Sequence, residues 1–138
     1  MLRQATKDDI PAIVGMVEKL HTAAGIVLPL NAAVTTRFLH GLMSTPLGLV
    51  LVAGESPNSF LAASIGTASI SMLPVAMEHG WWAEGGAGLK LLRQYEQWAR
   101  ENGCFAARMS TPPGADRPAS ILMRSGFEIA EQAWVKVL

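Results

Sequence analysis

Cysteine is almost missing: Cys104 stands alone among 138 residues, so no disulfide can close within the chain and no cysteine-based metal site can be assembled. That usage suits a reducing compartment. Met1 to Asp9 is charged early and has no apolar core followed by a small-residue cleavage site, so the expectation is a cytoplasmic protein without a signal peptide. An excess of charge of either sign is missing too. Eleven basic and 11 acidic residues cancel, and Lys and Arg never run beyond two neighbours, which leaves no electrostatic footprint for a nucleic acid or an anionic membrane. Gly, Pro, Ser or a charge interrupts every apolar stretch well before the roughly 18–20 residues of a membrane span. A small-molecule or peptide partner fits better. What remains is a chain that is 50% hydrophobic, long enough for one domain with a real core and short for two, so residues 1–138 read as a single domain.

Leu2 to Ala5 alternates as a short strand does, and Thr6, Asp8 and Asp9 then supply helix-capping side chains. Ile10, Ile13, Val14, Val17 and Leu20 form one helical stripe, and Gly25 stops it. Asn31 caps a second helix carrying Val34, Phe38, Leu39, Leu42 and Met43. Leu49 to Val52 and Phe60 to Ile70 read as an antiparallel hairpin around a turn at 54–58. Pro74 argues against a central strand, so Ser71 to Gly80 reads as a loop or a short edge segment leading into Trp81 and Trp82. The strongest amphipathic helix covers Gly86 to Asn102, with Leu91, Leu92, Tyr95, Trp98 and Ala99 on its apolar side. Cys104 to Met109 reads as a buried strand, Pro118 to Arg124 as a short helix closed by Gly126, and Phe127 to Leu138 as one bent or two short strands. The order gives an α+β fold, a mixed and mainly antiparallel sheet flanked by helices on both faces.

The segment with chemical content is Trp81-Trp82-Ala83-Glu84-Gly85-Gly86-Ala87-Gly88-Leu89-Lys90: an apolar strand end, a turn with three glycines, then the best helix. Without side-chain bulk, backbone N–H groups can converge on phosphate oxygens, and the helix N-terminus adds partial positive charge. Lys90 lies in the first turn. A glycine-rich turn before a helix is often only a turn, and neither G-x-x-x-x-G-K-[ST] nor G-x-G-x-x-G is present. A diphosphate on another carrier is the reading left.

Here the sequence resembles the GNAT family of N-acetyltransferases. In that family a Q/R-x-x-G-x-G/A loop joins the fourth strand to the third helix and binds the coenzyme A diphosphate; Gly86-Ala87-Gly88 is similar to its G-x-G/A part. Leu89-Lys90-Leu91-Leu92, Asn102-Gly103-Cys104 and the helix ending Ser125-Gly126-Phe127 resemble the family's continuation, and Arg3-Gln4-Ala5-Thr6 its opening. The resemblance implies a GNAT-like acyl-CoA N-acyltransferase fold. It also implies acetyl-CoA as acyl donor, no metal, and direct attack of a primary amine on the thioester. Trp81, Trp82 and Ala83 would then pair through their main chain with the pantetheine arm, and Gly85, Gly86, Ala87, Gly88, Leu89 and Lys90 would surround the diphosphate. Ser110 and Thr111 stand where a strand end could hydrogen-bond the coenzyme.

For the base that must deprotonate an ammonium, Glu78 is named first and His79 second, since both precede the expected fourth strand at the acceptor cleft. Imidazole has the better ordinary pKa, about 6.5 against about 4.3, but burial raises a carboxylate. Solvated loop residues are the ordinary alternative for each. Two positions depart from the family pattern. Ala83 occupies the Gln/Arg position of the loop, and Leu122 the position, four before the Gly-Phe glycine, where many members carry the tyrosine that protonates the leaving thiolate. The remaining tyrosine, Tyr95, falls on a helix's apolar side and reads as core. These departures motivate a second reading, a domain that binds acyl-CoA with little or no catalysis. A third is a dimerising interaction domain whose turn is only a turn; a homodimer also fits exposed strand edges and the hydrophobic composition. The acceptor amine is not legible.

Overall fold

A computed structural model describes residues 1–138. Strand β1 (Leu2–Gln4) leads through a 3-10 turn at Lys7–Asp9 into helices α1 (Ile10–Ala24) and α2 (Ala32–Met43). Then follow β2 (Gly48–Ala53), β3 (Ser59–Thr67), β4 (Pro74–Trp82), α3 (Gly88–Glu101), β5 (Ala106–Arg108) and α4 (Asp116–Arg124). The sheet runs β1-β2-β3-β4-β5, antiparallel throughout except for the parallel pair β4 and β5. It is the expected mixed α+β architecture. No helix is long and apolar enough to cross a membrane.

Strand alternation divides the core between two faces. Val50, Val52, Phe60 and Ala62 pack against Ile10, Ile13, Val14, Met16, Leu39 and Leu42, placing α1 and α2 on one side. Leu49, Leu51, Leu61, Ala63 and Ala76 pack against Leu91, Leu92, Tyr95, Ala99 and Leu122, placing α3 and α4 on the other. Leu91 and Leu92 are wholly buried, each worth about 1.5–3 kcal/mol of transfer free energy. The start of α1 is anchored by charge as well. The buried Asp9 carboxylate accepts two bonds from the Arg3 guanidinium, at 2.7 and 2.9 Å, and one from the Thr6 N–H at 2.8 Å. Together they tie β1 to the first helix and hold the Asp9 carboxyl down at about 2. At α2, the Asn31 side chain accepts from Val34 N–H at 3.1 Å, as a capping residue should.

Three expectations need correction. Ser71 to Gly80 is not a loop: from Pro74 onward it belongs to β4, a nine-residue strand paired on both sides at its beginning. Pro74 is the first residue of that strand, where a missing N–H costs no ladder bond. The Cys104–Met109 segment is not a buried strand, because β5 spans only three residues and Phe105, Ala106 and Arg108 are exposed at the sheet edge. Phe127 to Leu138 forms no strand, and none of residues 128–138 enters a backbone–backbone hydrogen bond.

Candidate active site

The β4–α3 connection is held from beneath by Ser59, which the sequence reading passed over. Ser59 is fully buried at the start of β3; its Oγ accepts from Glu84 N–H at 2.9 Å and donates to Glu84 O at 3.1 Å. Two bonds therefore fix the turn at its first residue. The Glu84 carboxylate reaches back 3.4 Å to Lys19 on α1, so its charge is paired on the α1 side. Beyond Glu84 the backbone is left open. The N–H groups of Gly85, Gly86, Ala87, Gly88, Leu89 and Lys90 have no acceptor in the protein; the first helical bond runs from Leu91 N–H to Ala87 O at 3.0 Å, and no side chain caps α3. Gly86 sits at φ +84°, a left-handed conformation that disfavours any side chain. Gly88 is constrained by space, since a Cβ there would lie 3.3 Å from the Ala83 Cβ. Six successive free donors at a helix N-terminus suit an anion. Lys90, exposed in the first turn, can add a full charge beside them.

A gap opens next to this turn. Pairing between β4 and β5 stops at Met77 and Arg108, so Glu78 through Trp82 have β3 on one side and no strand on the other. One side chain bridges the divergence and a second ties β5 to α3. Glu78 Oε1 accepts from Ser110 N–H at 2.9 Å and from Ser110 Oγ at 3.2 Å. Tyr95, fully buried on α3, donates its hydroxyl to Arg108 O at 2.7 Å. Burial pushes the Glu78 carboxyl above the ordinary carboxylate range, against the two Ser110 bonds that pull it down. Burial, then the nearby Glu78 charge, raises the Tyr95 phenol, so it stays a neutral donor.

Glu78 and His79 do not precede the fourth strand; both lie within β4 and they serve opposite faces. A bulge makes Ala62 and Ala63 of β3 pair with Gly80 and Glu78, leaving His79 as the extra residue. Glu78 consequently meets Ser110 and Tyr95 on the α3 side, while His79 lies 2.7 Å from Ser64 Oγ and 5.0 Å, ring to ring, from Phe38 on α2. Partial burial lowers the His79 pKa below 6.5. The two candidate bases are thus separated by the sheet. Trp81 and Trp82 also diverge, the first packing with the α3 cluster and the second with the α1–α2 cluster. Both indole Nε1 atoms are buried without a hydrogen-bond partner. Ala83 is exposed, and Leu122 is buried against the sheet. Cys104 has its thiol pKa raised by burial, in keeping with an inert side chain.

No family model and no curated protein matches the sequence. Solved structures do match in fold. A predicted acetyltransferase with acetyl-CoA from Clostridium acetobutylicum aligns with a TM-score of 0.78 at 15% identity, covering 100% of this chain and 95% of that one. An aminoglycoside N-acetyltransferase in complex with CoA aligns at 0.77 and 16% identity, covering 100% and 93%. A transcriptional regulator from Bacillus halodurans C-125 aligns at 0.77 and 18% identity, covering 100% and 99%. The chain has the GNAT acetyltransferase fold. Since one of these structures carries a different functional description, activity has to be argued from the site.

Proposed function

We propose that this chain is a single-domain N-acetyltransferase that takes the acetyl group of acetyl-CoA to a primary amine of a small molecule or peptide. The observation that carries the reading is the run of unpartnered N–H groups from Gly85 to Lys90, opening directly beside the unpaired edge of β4. A diphosphate fits the first feature and an extended amide-bearing arm the second, and coenzyme A presents both in series. Trp81, Trp82 and Ala83 contribute through their main chain.

The thioester supplies the activated acetyl group; the protein supplies position and a proton acceptor. Glu78 stands where β4 and β5 part, and only its Oε1 is engaged by Ser110. Its Oε2 is therefore the atom that takes the proton from the incoming ammonium, directly or through a water. Ser110 orients the carboxylate, and Tyr95 holds the end of β5 at the distance that keeps the opening. His79, across the sheet, is the second candidate for the base, on the side of Phe38 and Ser64.

A second reading, coenzyme binding without turnover, is favoured by one observation: buried Leu122 occupies the position of the family's thiolate-protonating tyrosine. Calorimetric titration with acetyl-CoA, followed by thiol release across a broad amine panel, separates the two. Binding with thiol release supports the transferase; binding with no release from any amine leaves the non-catalytic reading. Absence of binding removes both, leaving an interaction domain.

A further inference from the structure

Helix α2 carries an apolar groove that nothing in the chain fills. It measures about 390 Å³ and is lined by Val34, Arg37, Phe38, Gly41 and Leu42, a volume near the lower end of the roughly 300–1,000 Å³ of small-molecule sites. Val34 and Phe38 are half-exposed there, and open apolar surface of that kind marks a binding site. The groove reaches the opening in the sheet. Phe38 stands edge-on to His79, ring centroids 5.0 Å apart, and His79 belongs to Glu78–Trp82, the stretch of β4 past the end of its pairing with β5. Groove and opening therefore meet at His79, whose ring lies 2.7 Å from Ser64 Oγ.

Charge decides what the groove can take. From Lys19 to Gly54 the sequence has no Asp or Glu, while it carries Lys19, His21, Arg37 and His40; from Ser56 to Met77 it has no charged residue at all. All of α2, β2 and β3 are thus without a carboxylate. Arg37 lines the groove, is exposed, and enters no ion pair. A polycationic amine would meet a like charge there and no counter-charge. An apolar body meets Val34, Phe38 and Leu42, and a carboxylate meets a guanidinium able to hold it by two bonds. We propose that the acceptor is an apolar amino acid, with its side chain in the α2 groove, its carboxylate on Arg37 and its amine at the β4 opening beside His79. The transfer step rests on the acetyltransferase reading; the recognition does not. In that step the C–S bond of the thioester breaks as the amide C–N bond forms. Of the two protons the ammonium gives up, one goes to the protein's base and one to the departing sulfur.

The test reads binding first and turnover second, on the full chain. With CoA present, L-phenylalanine should shift the NMR signals of His79, identified among the three histidine rings by its loss in His79→Gln, because a molecule seated against Phe38 alters the ring that faces this imidazole. Arg37 and Phe38 are both exposed, so Arg37→Glu and Phe38→Ala should stay folded. Each should weaken the titration roughly tenfold or more, the worth of one charge-assisted hydrogen bond or of a buried phenyl ring. In turnover, kcat/KM should fall from phenylalanine to phenethylamine, which lacks the carboxylate, and again to spermidine; Arg37→Glu should reverse the first pair. No shift at His79, or a shift untouched by both variants, would overturn the proposal whatever the turnover. Thiol release with spermidine in preference to phenylalanine would overturn it too, and would leave the transferase reading standing. A shift weakened by both variants, with no thiol released from any amine, supports the site and removes the transferase instead.

Discussion

The two neighbours of β4 are built differently. Toward β3 it keeps a ladder from Pro74 to Trp82, whose far half meets the buried start of β3; toward β5 it keeps three pairs, then lets go. The first contact is made by backbone and core; the second is extended by Glu78 to Ser110, while Tyr95 ties β5 to α3 through Arg108. The long ladder gives rigidity, and the short one, finished by polar side chains, leaves an opening in a sheet that would otherwise be continuous. A carboxylate placed there is half-buried and proton-hungry because of where the strands part.

The contrast is most sharply broken at Glu78. Replacing it by glutamine keeps the shape and removes the proton acceptor, so kcat for acetyl transfer should fall by roughly 10²–10⁴-fold, with acetyl-CoA affinity held; steady-state kinetics against calorimetry reads both. In the wild type the acidic limb of kcat/KM should lie above the ordinary carboxylate value of 4.5, and Glu78→Gln should abolish that limb. The stability sign follows from the same direction. A carboxyl raised in the folded state binds its proton more tightly there than in the unfolded chain. Stability therefore declines as pH rises from 4.5 through the folded value, and the glutamine variant should lose that dependence.

Next in size is Gly88→Val. The added methyls crowd Ala83 and cover donors of the turn; forfeiting two charge-assisted bonds at about 1.5 kcal/mol each predicts roughly a hundredfold weaker acetyl-CoA binding. A melting curve should show the fold retained. Unchanged affinity in a folded variant would remove the anion site from the account. The smallest effect is expected at Tyr95→Phe, which deletes the bond to Arg108 O; denaturation should show a loss of about 1 kcal/mol. If kcat falls in parallel while the coenzyme affinity does not, the phenol is setting the separation of β4 and β5 rather than merely filling the core.

Much of this was legible in the chain. The stripes of α1 and α3, the Asn31 cap and the glycine turn all announce themselves, because each depends on residues within a few positions of one another. β4 was hidden by Pro74, whose ban on strands applies to interiors and not to a first residue. Glu78 and His79 read as residues ahead of the fourth strand but lie within it, and nothing local reveals that a bulge sends them to different faces. Ser59 and Ser64 escaped for the same reason, since their partners lie 25 and 15 residues away. Phe127–Leu138 reads as one bent or two short strands and forms none, because residue types specify a preference while a strand requires pairing with another.

The bulge at His79 also acts as a phase marker for everything after it. Side chains along a strand keep strict two-beat time, and the extra residue inserts half a beat just before the glycine turn. Excising His79 would restore uniform rhythm with Trp81 and Trp82 still opposite Leu61 and Phe60, whereas flattening the bulge with His79 kept in the ladder would exchange their destinations, sending the first toward α1 and the second toward α3. The helix that follows would then start from the wrong side of its own sheet.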